Sequence, residues 1–213
     1  MYLPAHFAET RLDALHDLIA KHPLGALFAC GPNGLDANHL PFELDAATAE
    51  HGVLRAHVAR NNPLWQELAD GADVLVVFQA EQGYISPNWY PSKHETHQQV
   101  PTWNYRVVHV HGRVRIRDDE RFVRGLVARL TRMHEAGTQQ ERPWKMTDSE
   151  SAYIDRMLQA IVGIEVEVTR MVGKFKLSQN KEARDRLGAA GSLQAMGNVP
   201  LSEAMRKTLP ADA

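Results

Sequence analysis

Hydrophobic positions recur along this chain with two periods, and the two alternate in a way that outlines its architecture. A period of two marks half-buried strands, and a period near 3.6 marks amphipathic helices. Strand patterns fall at 24–30, 35–44, 53–58, 73–79, 105–117 and 161–171. The run Val74-Leu75-Val76-Val77-Phe78 is continuously apolar and calls for cover on both faces. From 107 to 117 the alternation is clean. Val108, Val110, Gly112, Val114 and Ile116 share one face, opposite Val107, His109, His111, Arg113, Arg115 and Arg117. Gly31-Pro32-Asn33-Gly34 predicts a hairpin turn between the first two strands. Helical spacing of Leu12, Leu15, Leu18 and Ile19 predicts a helix capped by Thr10 and stopped before Pro23. A short helix follows Asn62-Pro63, and longer ones are expected at 119–137, 149–159 and 180–187, the last ending before Gly188. Residues 2–7 read as an entry strand or extended arm, 92–99 as a polar loop, Gly173 as the end of the last strand, and the chain beyond Gly191 as weakly patterned.

Six or seven strands separated by turns, with helices inserted late and no regular strand–helix alternation, argue against a parallel sheet. The expected class is mainly β with peripheral helices, built as a Greek-key-like antiparallel barrel. A chain of 213 residues fits one domain, 1–213, with helical additions at about 119–159 and 180–190.

Composition narrows the chemistry. A net charge of -2 gives no general attraction to nucleic acid, which leaves only a local basic arc, Arg121, Arg124, Arg129 and Arg132, on one helix. No helix-turn-helix pair with a tight glycine turn accompanies it. Cys30 is the single cysteine, which excludes an intrachain disulfide and a Cys-rich zinc site and suits a reducing cytoplasm. Its apolar strand makes it a small buried hydrophobe rather than a nucleophile. No apolar run is long enough to span a bilayer and no leader pattern opens the chain, so a cytoplasmic protein without membrane attachment is expected. Phosphate-loop, nucleophile-elbow and H-E-x-x-H patterns are missing from the sequence.

The candidate chemistry concentrates in 82–112, QGYISPNWYPSKHETHQQVPTWNYRVVHVHG, which holds two of the four Trp and three of the five Tyr. Rigid aromatics bracketed by prolines suit a planar ligand or an interface, and equally a core corner. His57, Arg60 and Asn61 lie at a strand end, where a guanidinium and amides suit a phosphate as readily as solvent. In Gly173-Lys174-Phe175-Lys176, strand alternation puts two ammonium groups on one edge with Phe175 as anchor. His94, His97, His109 and His111 supply nitrogen ligands for a rival reading, a metal-binding barrel enzyme.

Three segments resemble one family. HVAR-NP (His57 to Pro63), YISP-WYP-K with VPTWNY (Tyr84 to Lys93, Val100 to Tyr105) and GK-KLSQN (Gly173 to Asn180) are similar to the signature of PaiB-like FMN-binding split-barrel proteins, classed as negative transcriptional regulators. The resemblance implies an FMN-binding split barrel, a homodimer with the flavin between subunits, and transcriptional control. It points to His57, Arg60, Asn61, Ser86, Trp89, Lys93, Thr102, Trp103, Lys174, Lys176 and Gln179 as FMN-binding residues. Arg60 is the expected phosphate anchor, and Trp89 or Trp103 the expected ring partner. A flavin-dependent oxidoreductase acting on a small molecule is the second reading.

Overall fold

The structure, a computed structural model, describes residues 1–209. In chain order the strands are β1 (Ala8–Glu9), β2 (Leu24–Gly31), β3 (Gly34–Pro41), β4 (Glu43–Asp45), β5 (Val53–Ala59), β6 (Asp73–Ile85), β7 (Thr102–Arg117) and β8 (Ile161–Lys176). The helices are α1 (Leu12–Lys21), α2 (Leu64–Glu67), α3 (Pro91–Thr96), α4 (Glu120–Ala136), α5 (Ser151–Gln159), α6 (Ala183–Ala195) and α7 (Val199–Arg206). The eight strands form one sheet in the order β3-β2-β6-β7-β8-β5-β4, with β1 added onto β8. Every recorded pairing, from the β2–β3 hairpin to β5 on β8, is antiparallel. Among the described residues no helix is long and apolar enough to cross a membrane.

The chain divides into two compact units. The first comprises Met1–Leu15, Gln79–Val108 and the described chain from Val172 onward; the second comprises His16–Phe78 and His109–Met171. Neither is contiguous, because β6, β7 and β8 each contribute residues to both.

In the second unit the alternation seen in the sequence becomes burial. Val74, Val76 and Phe78 of β6 are buried with Leu54, Ala56, Ile164 and Val166 of β5 and β8. Phe42 meets Phe78 edge to face, with ring centroids 5.6 Å apart. Helix α4 starts where Asp119 accepts a hydrogen bond from the Phe122 amide at 2.8 Å, and it buries Val123, Leu126 and Leu130. Its Val123 packs with Ile154 and Leu158 of α5.

The first unit has a core that the sequence pattern hides. Helices α6 and α7 bury Ala189, Ala190, Leu193, Leu201, Ala204 and Met205 with Ile85, Tyr90 and Leu177. Helix α6 is rich in Gly and Ala, so it lacks the apolar stripe by which helices are recognised. Its small residues instead permit close approach. A Cβ on Gly188 would lie 2.3 Å from the carbonyl oxygen of Trp89. Gly188 therefore serves contact inside α6 rather than ending the helix before it.

Four further expectations need correction. Residues 2–7 are not an extended arm throughout, since Ala5–Phe7 form a 3-10 turn. Strand β8 runs through Gly173 to Lys176, and β1 pairs alongside it, Glu9 opposite Gly173. There a Cβ on residue 173 would sit 2.3 Å from Leu15 Cδ2, so the glycine marks a close approach and not a strand end. Residues 91–96 are helical, because Pro91 suits the first turn and Ser92 ties into a buried network. Cys30 is exposed, since the alternation of β2 buries Leu27 and Ala29 and turns residue 30 outward.

Candidate functional site: a platform of lysines and aromatic rings

The end of β8 carries Lys174 and Lys176 on one face, two residues apart. Neither ammonium has a carboxylate within ion-pair distance among the described residues. Lys174 is 9% exposed, and its Nζ donates to the Tyr2 carbonyl at 3.1 Å. That ammonium stands 5.7 Å from the Tyr2 ring centre and 5.6 Å from that of Tyr105. Aromatic faces replace a counter-ion here, each contributing about 0.5–2 kcal/mol where the cation is desolvated. The Nζ of Lys176 donates to the Thr102 hydroxyl and, at 2.6 Å, to the Trp103 carbonyl, and it lies 5.9 Å from the Phe7 ring. Burial first, and the like charge of Lys174 second, lower the pKa of Lys176.

Beside these cations lies an exposed aromatic pair. Trp103 is 49% exposed and Tyr84 48% exposed, and their rings meet edge to face with centroids 6.3 Å apart. Trp103 is oriented by its indole N–H, which donates to the Gln82 side chain at 3.0 Å. Phe175, between the lysines, turns the other way, packs on the buried core and lies 5.1 Å beneath the Arg106 guanidinium. Arg106 is held in turn by Glu81 at 2.8 Å.

A polar network fixes the surroundings. Asp185, 1% exposed, accepts from the Ser92 amide at 3.0 Å and from its hydroxyl at 2.6 Å. Gln99 donates to the Ser92 hydroxyl at 2.8 Å, and Lys181 donates to Gln99 at 2.6 Å. A buried carboxylate with both oxygens satisfied is tolerable, and this one anchors α3 to α6. Asn104 is fully buried; its amide donates to Ser178 at 2.9 Å, and its carbonyl oxygen has no partner.

The structure brings together Thr102, Trp103, Lys174 and Lys176 from the expected set. Gln179 belongs to the backbone nearby: it accepts from the Leu177 amide at 2.7 Å and donates to the Phe175 carbonyl at 2.5 Å, shaping the turn at left-handed Ser178. Ser86 caps the 3-10 turn at Pro87–Trp89, accepting from the Asn88 amide at 3.3 Å. Trp89 packs against the core, and Lys93 is half-buried on α3. His57, Arg60 and Asn61 belong to the second unit. There Arg60 forms a fork to Asp118 at 2.9 and 2.5 Å and donates to the carbonyls of Gln159 at 2.7 Å and Ile161 at 3.2 Å. Its donors are thus engaged within the fold. His57 Nδ1 is buried without a partner, burial lowers the pKa of the ring, and Asn61 is exposed. Among the described residues no group of three or more His, Cys, Asp or Glu is placed to hold a metal ion.

Tyr2, Phe7, Tyr84, Tyr105 and Gln82 complete the platform and were not in the expected set. Tyr84 and Tyr105 lay within the aromatic stretch and were within reach of a sequence reading. Tyr2 and Phe7 were not, because only the β1–β8 pairing brings the N-terminus beside Lys174.

Comparisons with known proteins bear on the fold and the family. An uncharacterised protein of Emericella nidulans is 30% identical over 230 residues, covering 92% of this chain and 92% of its own. The protease synthase and sporulation protein PAI 2 of Bacillus subtilis is 27% identical over 194 residues, covering 91% of this chain and 89% of its own. Two solved structures share the fold: the FAD and heme binding protein from Mycobacterium smegmatis, and the flavocytochrome Anf3 from Azotobacter vinelandii. The first has a TM-score of 0.57 at 18% identity, covering 86% of this chain and 80% of the other. The second has a TM-score of 0.56 at 13% identity, covering 79% and 69%. The expected fold, a mainly β flavin-type split barrel with peripheral helices, is borne out. A family model described as "Putative FMN-binding domain" matches residues 1–170, and the chain belongs to that family.

Proposed function

We propose that this protein binds FMN non-covalently through the lysine and aromatic platform and works as a homodimer in the cytoplasm, in the control of transcription. One observation carries the flavin reading: among the described residues Lys174 and Lys176 have no carboxylate within ion-pair distance, and they stand beside exposed Trp103 and Tyr84. The donor set fits FMN. Lys176 and Thr102 suit its phosphate or ribityl oxygens, and the aromatic faces suit its ring. A bound flavin supplies reversible electron and hydride transfer. The chain's own residues bind it, orient it and shield it. Tyr84, Trp103, Tyr2 and Val100 expose apolar surface in the same unit, which favours a second copy covering it. The Bacillus relative is named for protease synthesis and sporulation, and an effect on transcription through a partner suits α4 better than direct DNA reading. Two of its arginines are already paired, Arg124 with Glu120 and Asp155, and Arg129 with Glu43.

The test is a titration of FMN and riboflavin against the wild type and Lys176→Met. FMN should weaken by about 1.5–3 kcal/mol, the scale of a hydrogen bond to a charged group, and riboflavin by much less. Equal losses for both ligands would remove Lys176 from the phosphate end. Sedimentation of the FMN complex as a stable monomer at micromolar concentration would end the dimer reading. Bleaching of the flavin by NAD(P)H with turnover would move the assignment to an oxidoreductase.

A further inference from the structure

The second unit holds a cavity of about 560 Å3 whose walls carry Arg55, Arg117, Arg121 and Arg129 beside Phe122, Asp119 and Glu165. An arginine offers five N–H donors and stays charged at any physiological pH. The carboxylates of this unit use only part of that capacity. Arg55 gives Nε to Glu165 at 2.9 Å and Nη1 to Asp45 at 2.9 Å. Arg117 gives Nη1 to the other oxygen of Glu165 at 3.1 Å and reaches Asp119 only at 3.4 Å. Arg129 gives Nε to Glu43 at 2.6 Å and nothing else among the described residues. Arg121 is exposed and makes no hydrogen bond or ion pair among the described residues.

Each acid is meanwhile committed. Glu165 is divided between two arginines, and Asp119 also caps α4 through the Phe122 amide at 2.8 Å. The lining is therefore net positive, with its unspent donors concentrated on Arg121 and Arg129. The Arg117 guanidinium lies 4.3 Å from the Phe122 ring centre, which holds both groups in place without using guanidinium N–H donors. The N-terminal turn of α4, where Arg121 and Phe122 sit, adds its own positive end. Guanidinium groups lining a concavity match the several oxygens of a phosphate better than a single carboxylate.

We infer that this cavity is a binding site for a small phosphate-bearing anion. It goes beyond the flavin reading and does not depend on it, because the flavin donors belong to the first unit.

The probe is inorganic pyrophosphate, titrated calorimetrically at about 150 mM salt into FMN-saturated protein, where exposed charges beyond a Debye length are screened. Binding in the submillimolar range is expected. Arg121→Ala should weaken it at least about tenfold, the scale of one lost charge-assisted hydrogen bond, and Arg121→Ala/Arg129→Ala further. Arg115→Ala should leave it unchanged, since Arg115 pairs with Glu167 at 3.0 Å and does not line the cavity. Among the described residues Arg121 has no partner to lose, so that variant should melt as the wild type does and keep its flavin. Three results would overturn the inference: no heat from pyrophosphate, equal affinity in Arg121→Ala, or competition between pyrophosphate and FMN, which would make the cavity part of the flavin site. Duplex DNA held through Arg121 and Arg129 without pyrophosphate binding would also overturn it, and would make this surface a nucleic-acid contact.

Discussion

Both units pair arginines with acids, Arg106 with Glu81 in the first for example, but only the first buries or half-buries lysines that have no acid partner among the described residues. In the second, arginines are met by acids: Arg55 by Asp45 and Glu165, Arg60 by Asp118, Arg124 by Asp155, Arg129 by Glu43. In the first, Lys174 and Lys176 are met by rings, a hydroxyl and carbonyls. An arginine fork suits a fixed partner, whereas a lysine, whose pKa falls on burial, carries a charge that its surroundings can adjust. The same division appears in titration. The groups with burial-lowered pKa in the second unit are histidines, His57, His109 and His111; in the first it is Lys176. Among these burial-lowered groups, those of the second unit titrate on the acid side and that of the first on the alkaline side.

The largest effect should come from packing in the first unit. Gly188→Ala places a methyl 2.3 Å from the Trp89 carbonyl, so a loss of about 1–3 kcal/mol is expected in urea denaturation despite the better helix propensity of Ala. Gly191→Ala in the same helix meets nothing within 4 Å and should gain about 0.5–1 kcal/mol. If the two variants behaved alike, close approach would not explain Gly188.

The alkaline side comes next. Affinity for FMN should fall as pH rises through the depressed pKa of Lys176, before an ordinary lysine would lose its proton. Lys176→Arg should move that loss to higher pH, and fluorescence titration across pH reads it. Stability runs the other way. A lysine whose folded pKa lies below its unfolded value binds its proton less tightly when folded, so folding gains as pH rises between the two. Parallel loss of binding and of stability in that window would contradict the assignment.

On the acid side the sign is simpler. Burial keeps His57 neutral in the fold, so the unfolded chain takes up more protons once pH drops below the ordinary histidine range, and stability falls there. His57→Gln should flatten part of that fall. Hydrogen exchange at pH 5 to 6 should show β5 loosening before β1, and the reverse order would break the comparison.

Smallest is the effect of labelling Cys30. One thiol per chain should react with a disulfide reagent in the native state, with little change in the melting transition, because the side chain points out of β2. A thiol that reacts only after unfolding would put β2 in the opposite register.

The sequence by itself determined six of the eight strands in outline, the hairpin at Gly31–Gly34, helices α1, α4 and α5, the mainly β class, and the family through its three motifs. These depend on local periodicity and on short ordered segments, which survive without tertiary context. Only the tertiary structure decided the rest. Beyond its expected start before Gly188, helix α6 is specified by close contact of small residues, which leaves no apolar stripe to read, and α7 is fixed by burying Leu201 and Met205 against it. Gly173 and Gly188 read as stops because glycine marks both chain ends and close approaches, and only the neighbours Leu15 and Trp89 tell them apart. Thr102 and Lys176 are joined across 74 positions, and Arg60 is engaged by Asp118 across 58. Pairings at that separation are set by strand register, and register follows from the whole sheet rather than from any one segment of it.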